Sequence, residues 1–180
     1  MGTKSFSEGL AGDYDRVTNI NYIELLQSRM IDSPGKPRVT FEGSCEVMGK
    51  FDVLEHSRQI PLVSKKLASL LEECCGNSIQ FIPAEVICRD GCIEDYSFIN
   101  ILNSEEIIDL AESSYVPIPG TQKPMTFRQV EIRSDAFQEH EIGRDLNYKS
   151  PVFVSERLAN RIAEVVDRRQ EFLPPQKALV

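Results

Sequence analysis

The most informative part of the chain is Ile79–Leu102, IQFIPAEVICRDGCIEDYSFINIL. It begins with apolar, strand-forming residues, and Arg89-Asp90-Gly91 then supplies a turn with a glycine suited to a positive φ. From Tyr96 onwards the side chains alternate between two faces of an extended chain. One face carries Tyr96, Phe98, Asn100 and Leu102, and the other carries Ser97, Ile99 and Ile101. The pattern predicts a β-hairpin in the middle of the chain.

Further elements are predicted on both sides of this hairpin. Thr126–Arg133 (TFRQVEIR) is typical of a strand with Val130 and Ile132 facing inwards, and Lys50–Glu55 (KFDVLE) of a short strand. Asn21–Met30 has the spacing of a helix. Loops or sheet edges are expected at the two proline-rich breaks, because proline cannot donate to a strand ladder. These breaks are Ser33–Pro37 and Val116–Pro124.

A repeat is the strongest internal signal. Pro61–Ala68 (PLVSKKLA) resembles Val152–Ala159 (VFVSERLA), and aligning Ser64 with Ser155 gives an offset of 155 − 64 = 91 residues. In each copy a short strand would end at the serine, whose side chain would cap the following helix by accepting an N–H of its first turn. We expect two similar strand–serine–helix units that pack on one sheet, with helices over Ser64–Cys75 and Ser155–Arg168. Chance recurrence of a common local motif is the alternative.

Together these elements predict an α+β fold, with a mixed, mainly antiparallel sheet and flanking helices. The 180 residues suffice for one well-packed domain, so we expect a single domain over residues 1–180, with 1–37 as an N-terminal extension. Met1–Tyr14 has no apolar signal-peptide core, and no apolar run reaches the ~20 residues that span a bilayer. The five cysteines are an odd number. The expectation is a cytoplasmic protein with reduced thiols and no membrane contact.

The charge is unevenly distributed along the chain. Lys and Arg number 20 and Asp and Glu 28, a net charge of −8, which disfavours direct nucleic-acid binding because phosphate contacts need a basic surface. Between Glu94 and Gln122 there are six acids and no Lys or Arg, so this window carries −6 of that charge. An acidic face attracts a basic partner, although such a run is more often simply a solvated surface. The candidate partner-binding residues are Glu94, Asp95, Glu105, Glu106, Asp109 and Glu112.

Candidates for catalysis or metal binding are few. Ser64 and Ser155 could be nucleophiles only beside a positioned base, and His56 and His140 are the only histidines. Cys88-x-x-x-Cys92 with one of those histidines could hold zinc, but it lacks the spacing of a zinc knuckle. We therefore expect no catalytic residue, no metal and no cofactor. A small metal-dependent or hydrolytic enzyme is the alternative.

Six segments, taken in order, resemble a known protein family. They are Phe51–Leu54 (FDVL), Pro61–Leu71 (PLVSKKLASLL), Ile79–Pro83 (IQFIP), Tyr96–Leu102 (YSFINIL), Ile108–Ser113 (IDLAES) and Val152–Leu158 (VFVSERL). Over residues 45–175 the chain is similar to family eleven of the immunity proteins of bacterial polymorphic-toxin systems, first known from a myxobacterial example. It departs from that pattern at Ile142-Gly143-Arg144, where the family has a phenylalanine before the arginine.

The resemblance implies a non-enzymatic cytoplasmic protein that binds a cognate toxin domain and neutralises it. The shared motifs are caps and core positions, so they do not locate the binding face. The acidic residues favour occlusion of a basic groove, and a nuclease would have such a groove because its substrate is anionic. A self-associating regulatory module is a further alternative.

Overall fold

One long hairpin and many short strands make up most of the fold. The computed structural model describes residues 11–15, 20–32, 34–58 and 60–166. The strands are β1 (Asp13–Tyr14), β2 (Arg38–Thr40), β3 (Val53–Leu54), β4 (Leu62–Ser64), β5 (Ile79–Cys88), β6 (Gly91–Ile101), β7 (Ser104–Glu105), β8 (Ser114–Pro117), β9 (Pro124–Gln129), β10 (Ile142–Asp145) and β11 (Phe153–Val154). The helices are α1 (Cys45–Met48), α2 (Lys65–Cys75) and α3 (Glu156–Val165), with 3-10 turns at Glu24–Leu26 and Gly76–Ser78.

The predicted hairpin is confirmed, and it is longer than expected. β5 and β6 pair from Ile79–Ile101 to Cys88–Gly91, with one register shift between Ala84 and Val86. β6 begins at Gly91 rather than Tyr96, so the turn is shorter than predicted. The positive φ expected at Gly91 is absent. A Cβ there would lie 3.3 Å from Cys45 Sγ, so the glycine permits close packing against α1 instead.

The hairpin forms the centre of a six-stranded sheet with the order β1-β2-β5-β6-β4-β3. β2 runs parallel to β5, and the other four neighbouring pairs are antiparallel. The α+β prediction with a mixed, mainly antiparallel sheet is therefore confirmed. β3 lies inside the predicted Lys50–Glu55 strand. β1 lies within the segment predicted to be an N-terminal extension, and it forms one edge of this sheet by pairing with β2.

The two faces of β6 contribute to different hydrophobic cores, in agreement with the predicted alternation. Tyr96 and Phe98 lie in a cluster with the N-terminal segments, including the buried Leu25. Ile99 and Ile101 lie in a second cluster, together with the apolar stripes of α2 and α3. The sheet is consequently covered on both sides.

The predicted helix over Asn21–Met30 is wrong. Only the 3-10 turn Glu24–Leu26 forms there, and Ser28 has a φ of 52°, which a right-handed helix does not accommodate. The side chain of Asn100, fully buried in β6, donates to the Arg29 carbonyl at 2.8 Å. Tertiary contacts of this kind fix the segment in an irregular conformation despite its helical spacing.

The two strand–serine–helix units are confirmed and closely alike. Ser64 and Ser155 have nearly the same φ and ψ, −63° and 159° against −64° and 158°, and their hydroxyls accept a helix N–H at 3.2 Å and 3.1 Å. Each hydroxyl also donates to an upstream carboxylate, Asp52 at 2.7 Å for Ser64 and Glu141 for Ser155. α3 is assigned as far as Val165, and the predicted continuation to Arg168 lies outside the described residues.

The likeness of the two units extends to their charges. Lys66 lies 3.7 Å from Asp52, and Arg157, at the matching position, lies 2.5 Å from Glu141. The helices also contact each other, since Lys66 Nζ donates to the Val165 carbonyl at 2.6 Å. Both helices pack in the second core with Ile99 and Ile101 of β6, as expected for helices that pack on a shared sheet. β11, however, belongs to a smaller sheet rather than to the six-stranded one.

Two smaller sheets follow the main one. β10 lies between antiparallel β11 and parallel β7, and β8 pairs with β9. The strand predicted over Thr126–Arg133 begins earlier and ends at Gln129. Val130 is fully buried, as expected, and Ile132 makes only an isolated bridge to Ile108. The Val116–Pro124 break contains the loop between β8 and β9, which confirms its prediction as a loop or sheet edge.

Candidate functional site

The six acidic candidates fall into two groups. Glu94 and Asp95 are exposed near the turn end of β6, and Lys36 Nζ lies 2.9 Å from Glu94 Oε1. A strand rises about 3.3 Å per residue, so about 23 Å of β6 separate Glu94 from Ile101. The other four candidates follow that far end, and we call Ser104–Glu112 the acidic segment. It contains Glu105, Glu106, Asp109 and Glu112.

The buried carboxylate of Asp145 fixes the backbone of the acidic segment. Its Oδ2 accepts the N–H groups of Ile107 at 3.0 Å and Ile108 at 2.9 Å. Its Oδ1 accepts those of Asn147 at 2.7 Å and Tyr148 at 2.9 Å. Asp145 is fully buried, and four donors replace the water that its oxygens lose on burial. One side chain thereby holds the acidic segment and the loop after β10 together.

Apolar side chains within the acidic segment enter a third core. Ile107 and Ile108 are buried there with Phe127, Val130 and Phe153. Two backbone hydrogen bonds of 2.9 Å, Arg133 N–H to the Ile107 carbonyl and Asp109 N–H to the Glu131 carbonyl, tie the segment to the chain after β9. The segment is therefore attached on two sides, by β10 and by residues 131–133.

The four carboxylates of the acidic segment have different environments. Glu106 and Glu112 are exposed, although Arg133 Nη1 lies 3.8 Å from Glu106. Asp109 Oδ1 accepts the N–H groups of Ala111 at 3.0 Å and Glu112 at 3.3 Å and so caps a turn. Glu105 is half-buried, with a buried Oε1. Glu106 and Glu112 are thus the most accessible to a partner.

The departure from the family pattern lies in β10, whose four residues are all buried. A Cβ on Gly143 would lie 3.4 Å from Ile107 Cδ1 and 3.5 Å from Glu105 Oε1. That distance is ordinary contact for one carbon atom, but it leaves no room for a phenylalanine ring. The glycine at this position therefore permits the acidic segment to lie close against β10.

The residues considered for catalysis have structural contacts. Ser64 and Ser155 are helix N-caps. His56 Nε2 donates to the Ile60 carbonyl at 2.8 Å, its Nδ1 accepts the Arg58 N–H at 3.2 Å, and burial lowers the pKa of His56 to about 4. The described residues include no group of three or more His, Cys, Asp or Glu that could hold a metal ion. All five cysteines are free thiols, with Cys88 buried and Cys92 exposed.

Within the same part of the chain, no helix has the length and apolar character needed to cross a membrane.

Known protein families provide an independent comparison. No curated protein matches the chain. The model of the immunity protein family Imm11 matches residues 11–174, which include the main sheet, the acidic segment and both strand–serine–helix units. The match begins at residue 11, whereas the resemblance carried by the sequence motifs covers only residues 45–175. The chain therefore belongs to the Imm11 immunity protein family.

Proposed function

We propose that this protein neutralises a cognate bacterial toxin by binding it directly, with the acidic segment lying over a basic groove of the toxin. Membership of the Imm11 family supports immunity to a toxin in general. The observation that carries the proposal further is the anchoring of the acidic segment. Buried Asp145 fixes its backbone, while Glu106 and Glu112 stay exposed.

Rigid attachment makes the acidic segment suited to binding. A surface that is already ordered loses less conformational entropy when it meets a partner than a loop that must first be fixed. Its exposed carboxylates would speed the encounter with a basic partner by electrostatic steering. Lys36 beside Glu94 and Arg133 beside Glu106 neutralise part of the charge locally, so the steering depends most on Glu112 and on the net charge of −8.

A nuclease is the toxin type that best fits an acidic blocking surface. Its substrate groove must be cationic to hold the phosphate backbone, and a carboxylate-rich surface would compete for the same charges. The proposed mechanism is occlusion, in which the bound immunity protein denies the substrate access. It requires no reaction by the immunity protein itself, in keeping with immunity families, which are generally not enzymatic.

The test is association with the cognate toxin domain, measured by surface plasmon resonance at several salt concentrations. Glu106→Lys combined with Glu112→Lys should lower the association rate about tenfold and reduce its dependence on salt, with a smaller change in the dissociation rate. The matched control combines Glu72→Lys with Glu164→Lys, which reverses two exposed charges on α2 and α3. The control should bind nearly as fast as the wild-type protein.

Two results would count against the acidic segment as the interface. One is an equal loss of association rate in both double variants, which would reflect net charge alone. The other is no change in either. A third variant, Glu94→Lys with Asp95→Lys, tests the turn end of β6. A selective loss there would place the interface at that end of the sheet and away from the acidic segment.

A further inference from the structure

A cleft of about 250 Å³ lies between the N-terminal segment and the loop that follows β10. Its lining comes from three separate parts of the chain: Tyr22, Leu26, Ser57, Arg58, Ile60 and Ser150. The walls combine an aromatic ring and two apolar side chains with two serines and one guanidinium. Such a mixture of apolar walls and a few polar groups is typical of a ligand site.

Arg58 supplies the positive charge of the cleft. Its guanidinium carbon lies 4.5 Å from the centroid of the Tyr22 ring, and this stacking fixes the side chain against one wall. Its Nε is buried and has no hydrogen-bond partner among residues 11–15, 20–32, 34–58 and 60–166. Within those same ranges its charge is not balanced by an ion pair with any Asp or Glu. Arg58 therefore retains the capacity to bind an acidic group.

A second arginine contacts the backbone of Ser150, one of the lining residues. Arg144 is fully buried in β10, and its Nη1 donates to the carbonyls of Lys149 at 2.8 Å and Ser150 at 2.9 Å. Its Nε and Nη2 have no partner in the described part of the chain, and the same holds for the buried hydroxyl of Ser104, its neighbour across the β7–β10 pair. Burial lowers the pKa of Arg144 to about 10, which leaves it charged at neutral pH.

A buried charge of this kind is costly. Desolvation of an ion costs several kcal/mol in a protein unless an opposite charge or further hydrogen bonds compensate it. Buried polar groups without a partner are also rare in proteins. Ser150 lines the cleft, and its carbonyl accepts a hydrogen bond from Arg144. The charge of Arg144 therefore lies directly behind this part of the cleft wall. Two arginine side chains thus lie at the cleft, Arg58 in its lining and Arg144 behind Ser150.

We propose that the cleft binds an oxyanion, meaning a carboxylate or phosphate group carried on a slim stem. Arg58 is the direct ligand, and Arg144 is a positioning residue that holds Ser150 in the wall and adds positive potential. Leu26 and Ile60 would cover the apolar part of the stem. The volume is below the roughly 300–1,000 Å³ typical of drug-sized ligands, so the occupant is a small acid or a single acidic side chain.

The test uses two probes, inorganic phosphate and propionate, the latter as a mimic of a glutamate side chain. Their binding is followed by nuclear magnetic resonance titration in chloride buffer at constant ionic strength. Arg58→Gln should weaken binding at least about tenfold, because it removes the charge-assisted hydrogen bonds between the guanidinium and the oxyanion. Arg128→Gln, which removes an exposed charge of β9, is the matched control and should bind as the wild-type protein does.

Arg58→Lys keeps the folded protein testable if the glutamine variant fails to fold. It retains the charge but loses the planar pair of donors, so we expect weaker binding than in the wild-type protein. Saturable binding that depends on Arg58 but not on Arg128 supports a free small acid as the occupant. If neither probe binds, the remaining source is an acidic side chain of the toxin. Arg58→Gln or Arg58→Lys must then weaken toxin binding while Arg128→Gln does not.

Equal probe binding by all variants, or no effect of Arg58 on either the probes or the toxin, would overturn the proposal. Binding of a free small acid in the cleft does not depend on which surface of the protein meets the toxin. Binding of an acidic side chain of the toxin, by contrast, rests on the proposed function. The two can fail separately. The charge reversals at Glu106 and Glu112 test the acidic segment, and the substitutions at Arg58 test the cleft.

Discussion

The carboxylate of Asp145 accepts the backbone N–H of Ile108 at 2.9 Å, and both residues are buried. The same carboxylate holds three further N–H groups, two of which belong to the loop after β10. An acid at the end of one strand thus fixes the shape of a segment 37 residues earlier in the chain. The stability of the fold and the geometry of the proposed binding surface depend on the same side chain.

Asp145→Asn should lower the free energy of unfolding by about 2–5 kcal/mol, because the amide nitrogen would face two buried N–H donors and leave them without an acceptor. Urea unfolding followed by circular dichroism measures the change. Asp135→Asn is the matched control, since Asp135 is exposed and its ion pair with Arg133 at 3.0 Å contributes little. Similar unfolding midpoints for the two variants would show that Asp145 is not a stabilising anchor.

Stability should fall in mildly acidic solution because of His56. Burial lowers the pKa of His56 from 6.5 to about 4 in the folded protein, so the unfolded chain binds more protons between these values. The contribution of neutral His56 to the free energy of unfolding is fully present above about pH 6.5. It is lost as the pH decreases towards about 4, and it amounts to about 3 kcal/mol in total. His56→Gln should flatten the pH dependence of unfolding over this window. A wild-type slope in the His56 variant would contradict the assignment.

The two serine caps should contribute similar amounts of stability. Ser64→Ala and Ser155→Ala should each cost about 1–2 kcal/mol, because each removes an N-cap acceptor together with a hydroxyl that donates to a carboxylate. Ser69→Ala, an exposed position within α2, should be neutral or slightly stabilising because alanine favours helices. Thermal unfolding compares the three variants, and a neutral result at either cap would contradict the matched roles.

The cysteines should differ in reactivity, since the thiolate is the reactive form. Burial raises the pKa of Cys75 and of Cys88 to about 12. Desolvation also raises the pKa of Cys92, but its side chain is exposed on β6 and open to the reagent. At pH 8, iodoacetamide should modify Cys92 first, and Cys75 and Cys88 only after unfolding in urea. Mass spectrometry of digested samples follows each site. Modification of Cys75 in the native protein at the rate of Cys92 would contradict its burial.

The parts of the fold that were predictable depend on neighbours in the sequence. The hairpin is encoded by alternation and a turn, and each helix start by a serine that accepts from an N–H three residues on. The irregular conformation of Asn21–Met30 was not predictable in this way, because the side chain of Asn100, 71 residues further along the chain, holds the Arg29 carbonyl. β10 gave no strand signal, because Arg144 and Asp145 are charged residues whose burial depends on hydrogen bonds that form only in the folded chain.

The candidate surface was only partly predictable for the same reason. The run of acids without Lys or Arg identified the window from Glu94 to Gln122. The sequence could not show that the length of β6 separates Glu94 from Glu106. Nor could it show that Asp109 is occupied in capping a turn. The cleft left no sequence signal at all, because Tyr22, Arg58 and Ser150 come together only in the folded chain.

The strand order β1-β2-β5-β6-β4-β3 has a consequence for synthesis on the ribosome. The first four strands are synthesised before the central pair that they flank. From Ser64 to Ile101 there are 101 − 64 = 37 residues, which take about 2–7 seconds to add at about 5–20 residues per second. A nascent chain therefore lacks its main sheet until residue 101 of 180 has been made.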